Sequence, residues 1–99
     1  MRLINKKIIT DFYKTHPQSK SALEAWCEEV AAATWSNFHE VKARYASADN
    51  YDGNVIFDIN GNNNRLVVNL HYVLGIATVK WIGTHAEYDK KNRKGGFKL

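Results

Sequence analysis

Between positions 6 and 15 the apolar residues Ile8, Ile9, Phe12 and Tyr13 fall on one stripe with polar residues between them, the spacing of an amphipathic helix. Met1-Arg2-Leu3-Ile4 ahead of it reads as a short strand, and Asn5 is the natural cap for the helix. His16-Pro17-Gln18 ends it, because the residue before a proline is pushed out of the helical region. Ser21 and Glu24 have the spacing of a capping box, and Leu23, Trp26, Cys27, Val30 and Ala31 continue at helical intervals to about residue 33. These two helices should form an antiparallel pair. Residues 37–45 predict a third, short helix with Phe38, Val41 and Tyr45 on its apolar side, and residues 46–54, rich in Ser, Asp, Asn and Gly, read as a connecting loop.

From Asn54 the period changes to two, which predicts three strands of an antiparallel meander. Val55, Phe57 and Ile59 share the core face of the first; Leu66, Val68, Leu70 and Tyr72 that of the second; Ala77, Val79 and Trp81 that of the third. The turns are the asparagine-rich run at 60–64 and a shorter one around Gly75. Alternation sends Arg65, Asn69, His71, Thr78 and Lys80 to the opposite face, which should be polar. Any register that keeps the apolar sets together places Arg65 beside Ile82 or Thr84, and therefore close to His85. The pattern predicts an α+β fold, a small twisted antiparallel sheet with the N-terminal helices packed on one face.

A length of 99 residues with 44% hydrophobic content allows one domain over 1–99 with one modest core. No apolar run approaches the ~20 residues that span a bilayer, and no secretory signal pattern opens the chain, so a cytoplasmic location is expected. The single cysteine, Cys27, excludes an internal disulfide and reads as a small buried hydrophobe. The net charge of +4 is unevenly placed: residues 1–79 carry eight Lys/Arg and eight Asp/Glu, whereas Lys80, Lys90, Lys91, Arg93, Lys94 and Lys98 face only Glu87 and Asp89 in the remainder. The basic end suits a polyanion such as RNA.

The same end carries Thr84-His85-Ala86-Glu87-Tyr88-Asp89-Lys90. Thr84 and Glu87 have capping-box spacing, the mark of a terminal helix. On such a helix His85 and Tyr88 share a face, and Asp89 lies within reach to orient the imidazole. Histidine exchanges its proton near neutrality, and an arginine donates two parallel hydrogen bonds to a phosphate. These groups suit cleavage of RNA by attack of the ribose 2′-hydroxyl on the adjacent phosphate, a reaction that needs a base, an acid and positive charge but no metal. The candidate catalytic residues are Arg65, His85 and Tyr88; Lys80, Lys42, Arg44, Lys90, Asn62 and His71 are candidate RNA contacts. An ion pair between Arg65 and Asp58 across the hairpin is the structural alternative for Arg65, expected to be exposed and worth roughly 0–1 kcal/mol. No carboxylate or histidine spacing points to a metal, no phosphate-loop motif occurs beyond the isolated Gly95-Gly96, and no cofactor is expected. A non-catalytic RNA-binding module using the same basic face is the competing class.

Val41-Lys42-Ala43-Arg44, the strand Val55-Ile56-Phe57-Asp58-Ile59 with Gly61-Asn62, Arg65-Leu66-Val67-Val68, and Val79-Lys80 followed by the His85 segment together resemble HigB-type toxins of the RelE-like superfamily, over roughly residues 20–92. The resemblance implies a type II toxin–antitoxin system, a ribosome-dependent mRNA endonuclease, and neutralisation by a HigA-type helix-turn-helix antitoxin. It points to Arg65, His85 and Tyr88 as site residues and sets Lys80 where relatives carry a strand-borne Arg or Lys. The chain departs from many RelE-like toxins in having Ile56 and Asp58 where they have lysines on the first meander strand, and with that departure a degenerate toxin retained only as an antitoxin partner is a third reading.

Overall fold

The computed structural model, which describes residues 1–93, runs through a short strand, Arg2–Ile4 (β1), and three helices, Lys6–Thr15 (α1), Lys20–Ala32 (α2) and Phe38–Arg44 (α3). Four strands follow, Asp49–Tyr51 (β2), Asn54–Ile59 (β3), Asn64–His71 (β4) and Ile76–Thr84 (β5), and then a last helix, His85–Arg93 (α4). The helix starts differ from expectation in their chemistry. Asn5 precedes α1 in the left-handed conformation, φ 64°, which asparagine tolerates, and its side chain donates to the Val79 carbonyl at 3.4 Å instead of capping the helix. The α2 helix begins at Lys20, after a 3₁₀ turn over Pro17–Ser19, so the Ser21 and Glu24 pair lies inside it. Ser19 stands at the cap position but turns its hydroxyl to Asn64 Oδ1, 2.5 Å away. In α3 the cap is conventional: Asn37 Oδ1 accepts from the Glu40 N–H at 3.0 Å.

The strands form one open sheet in the order β1-β5-β4-β3-β2. It is mixed, because β1 runs parallel to β5 while the other pairs are antiparallel. The expected loop at 46–54 contains β2, joined to β3 through Asp52 (φ 50°) and Gly53 (φ 80°). Two successive positive φ values make the tight hairpin turn whose twist matches paired strands.

Ile9, Leu23, Trp26, Val30 and Val41 from the helices meet Val55, Phe57, Leu66, Val68, Ala77 and Val79 on one side of the sheet, all 3% exposed or less. Each such large aliphatic or aromatic side chain contributes about 1.5–3 kcal/mol. Strand β5 does not keep one face inward throughout. Val68 pairs with Val79 but Val67 with Trp81, leaving Lys80 as the extra residue of a β-bulge. The bulge reverses the alternation: Ile82 turns to the main core, while Trp81, expected there, packs on the opposite side with Ile56, Val67 and Tyr88. The expected polar face is therefore partly apolar, and α4 rests on it through Tyr88. Among the described residues no helix is long and apolar enough to cross a membrane.

Candidate active site

Arg65 lies on β4 opposite Asp58 of β3 and Gly83 of β5, between the two positions expected of it. Its Nη1 is 3.0 Å from Asp58 Oδ1, and also reaches the carbonyls of Asn62 and Asn64 at 3.4 Å. This pair is not the exposed one anticipated: the side chains are 12% and 23% exposed. Reduced contact with water strengthens their attraction and makes either charge costly to leave alone.

His85 is placed by the start of α4. Thr84 and Glu87 form the capping box, with the Thr84 N–H donating to Glu87 Oε1 at 2.8 Å and the Glu87 N–H to Thr84 Oγ1 at 3.2 Å. The His85 N–H donates to the Asn63 carbonyl at 2.9 Å, tying the helix start to the β3–β4 turn. So anchored, the imidazole presents Nδ1 at 3.3 Å from Arg65 Nη2 and Nε2 at 3.0 Å from Asp89 Oδ2. Nδ1 is also 3.3 Å from the Asn62 carbonyl.

Donor and acceptor roles follow from the partners. A guanidinium only donates, so toward Arg65 the Nδ1 atom must carry a lone pair, and the carboxylate of Asp89 accepts from a protonated Nε2. A proton gained at Nδ1 ends the bond with Arg65 and makes one with the Asn62 carbonyl available. Gaining that proton thus releases one guanidinium nitrogen for another acceptor.

Tyr88 completes the group, its ring centroid 5.9 Å from Arg65 Cζ and 6.4 Å from the Trp81 ring. Burial raises its phenol above the ordinary value, outweighing the opposite pull of Arg65. The phenol therefore keeps its proton at neutral pH and is equipped to donate one.

The other expected RNA contacts are scattered. Asn62 is at the site, through its carbonyl. Lys80 is exposed at the bulge, and Lys90 lines a shallow groove with Trp81, Glu87 and Lys91. Lys42 donates to the Ala48 carbonyl at 2.9 Å and Arg44 pairs with Glu29 at 2.5 Å, on a helix that packs into the main core rather than on the face of Arg65. His71 ends β4, about 20 Å along the strand from Arg65, and accepts from the Leu74 N–H at 3.2 Å. Lys94, Lys98 and Gly95-Gly96 lie outside the described residues.

A groove beside the imidazole brings in residues that sequence reasoning passed over. His85, Asn62, Asn64 and Thr84 form one side of it, and His16 and Gln18 the other. Nothing in the pattern marked His16 and Gln18 beyond the end of a helix; only the folded path of the 3₁₀ turn sets them across from α4.

Residues 19–91 match a family model described as HigB_toxin, the RelE-like toxic component of a toxin-antitoxin system. The chain is 29% identical over 92 residues to an mRNA interferase toxin HigB of Escherichia coli (strain K12), covering 90% of this chain and 88% of that protein. It matches an mRNA interferase HigB of Shigella flexneri equally, and is 27% identical over 96 residues to one of Escherichia coli O6:H1, covering 94% and 93% of the two chains. The family match spans well over half of the sequence and includes Arg65, His85, Tyr88 and Asp89; the chain belongs to the HigB toxin family.

Proposed function

We propose that this chain is an mRNA interferase, an endoribonuclease that cuts messenger on the ribosome. The observation that carries the reading is the 3.3 Å approach of Arg65 Nη2 to His85 Nδ1, beside an open groove. Relatives named as mRNA interferases support it. In the proposed reaction His85 Nδ1 takes the proton of a ribose 2′-hydroxyl, the 2′-oxygen bonds to the adjacent phosphorus, and the bond from phosphorus to the 5′-oxygen breaks. Arg65 donates to the phosphoryl oxygens as they gain charge, its Nη2 freed when the imidazole is protonated. Tyr88 is the candidate donor to the departing 5′-oxygen. The products are a 2′,3′-cyclic phosphate and a 5′-hydroxyl. The reaction takes place in the cytoplasm, and a HigA-type helix-turn-helix antitoxin neutralises the toxin.

Purified protein added to translating ribosomes tests the reading. Messenger cut to cyclic-phosphate ends, with cutting abolished by His85→Ala, is the expected result. RNA that is retarded but intact would instead identify a binding module, and undiminished cutting by the variant would remove His85 from the reaction.

A further inference from the structure

Gly83 stands directly opposite Arg65 in the β4–β5 ladder, and the outer edge of the Trp81 indole fills the place of its missing side chain. The bulge makes this possible: with Lys80 as the extra residue, Trp81 leaves the main core for the face that carries Ile56, Val67 and Tyr88. The indole is only partly buried there. Tyr88 joins it to the candidate site, its ring 6.4 Å from the indole and 5.9 Å from Arg65 Cζ.

The indole also lines a groove of about 320 Å³ with Glu87, Lys90 and Lys91. Lys91 Nζ stands over the ring, 5.8 Å from its centroid. Both lysines are exposed, as is Lys80 beside Trp81 in the strand. The carboxylate that shares the lining serves the helix start, Glu87 Oε1 accepting from the Thr84 N–H at 2.8 Å. A partly exposed aromatic ring rimmed by cations has the two parts of a site for single-stranded nucleic acid: the ring stacks on any base, and the ammonium groups attract phosphate. Stacking of a base on an aromatic ring is stronger than an exposed lysine–indole contact, so Lys91 can yield its place over the ring and turn its flexible stem to a phosphate.

Charge also sets a direction. Asp49 lies opposite Ile56 across β2 and β3, on the same face, and repels phosphate on that side of the sheet. Lys80, Lys90 and Lys91 attract it on the β5 side. An RNA strand held at Arg65 is therefore drawn past Tyr88 toward Trp81.

We infer that the Trp81 groove is an RNA subsite, in which an unpaired base next to the scissile phosphate stacks on the indole while Lys90 and Lys91 hold the adjoining phosphate. The inference rests on the nuclease reading for its biological setting, but stacking is measurable without cleavage.

The test titrates the full chain with a 2′-O-methyl RNA hexanucleotide, which has no 2′-hydroxyl to attack and stays whole, while following tryptophan fluorescence. Trp26 is 1% exposed and out of reach of a base, and Trp35→Phe removes the other competing signal. Quenching is expected in the wild type and in Trp35→Phe, and not in Trp81→Phe. Quenching that survives in Trp81→Phe, or none in the wild type, would overturn the inference. Lys90→Ala combined with Lys91→Ala should weaken binding of the labelled hexanucleotide about tenfold and lower the slope of log affinity against log salt by about 1.4, two phosphate contacts at about 0.7 each. Lys7→Ala combined with Lys14→Ala removes the same charge from exposed positions of α1, which packs on the other face of the sheet. An equal loss in both double variants would show general charge attraction and overturn the subsite. Quenching at Trp81 in a protein that leaves messenger intact would uphold the subsite and sink the nuclease, whereas cutting without quenching would do the opposite.

Discussion

Asp58 and Arg65 are direct partners across β3 and β4, with Oδ1 3.0 Å from Nη1. The carboxylate holds one arm of the guanidinium while Nη2 reaches His85. Arg65→Ala would leave Asp58 without its ion-pair partner in a site mostly shielded from water. The expected cost is about 1–3 kcal/mol in urea unfolding, with Asp58→Ala in the same chain recovering part of it. A double-mutant cycle measures the coupling; strict additivity of the two changes would show that the pair contributes nothing.

The partners of His85 predict its tautomer. The neutral ring should carry its proton on Nε2, bonded to Asp89, which nitrogen-15 shifts of the imidazole read directly. Asp89→Asn should reduce that preference and slow cleavage. The effect should be smaller than that of His85→Ala, which removes the proposed proton-transfer group, a kind of group worth about 10²–10⁴ in rate.

Gly83 has a packing role beside the site. A Cβ built there would stand 2.4 Å from Trp81 Cη2 and 2.5 Å from Cζ2, closer than real atoms allow. Gly83→Ala should force the indole off Ile56 and Val67, lowering stability by about 1–3 kcal/mol. Altered near-ultraviolet dichroism from the aromatic cluster is the accompanying sign, and an unchanged spectrum with full stability would contradict the packing described.

Acid should weaken the fold through Glu29. A hydrogen bond from the Tyr45 hydroxyl, followed by the Arg44 guanidinium, lowers this carboxyl below its ordinary value of 4.5. Because the folded value is the depressed one, the stabilisation is complete above the ordinary carboxylate range and disappears as pH falls through the folded value. Glu29→Gln should therefore flatten the stability profile on the acid side of pH 4.5 and leave its slope at neutral pH unchanged. A profile identical to that of the wild type would remove Glu29 from the acid response.

Much of this arrangement was legible in the sequence because it rests on periodicity. The stripe at Ile8, Ile9 and Phe12 marked α1, and the alternation from Val55 to Leu70 marked the register that brings Arg65 to His85. The bulge was missed because Ala77, Val79 and Trp81 alternate without a break. The signal lay one residue on, where Trp81 and Ile82 are adjacent and both apolar, which a strand with one buried face does not need. Strand β2 escaped because Asp49 and Asn50 have poor strand propensity, although Asp52-Gly53 is a hairpin dipeptide. The shielding of Arg65 depends partly on how α4 brings Tyr88 over it, and no local pattern encodes that.

The strand order has a consequence for biogenesis. Among the described residues β1 pairs only with β5, so the first of these strands in chain order is fastened by the last, and β4 likewise waits for β5 on one edge. Such distant pairings form slowly and late during translation. A nascent chain halted before residue 76 therefore lacks both the strand that fastens β1 to the sheet and His85, so the Arg65–His85 pair assembles only after β5 and the start of α4 have been made.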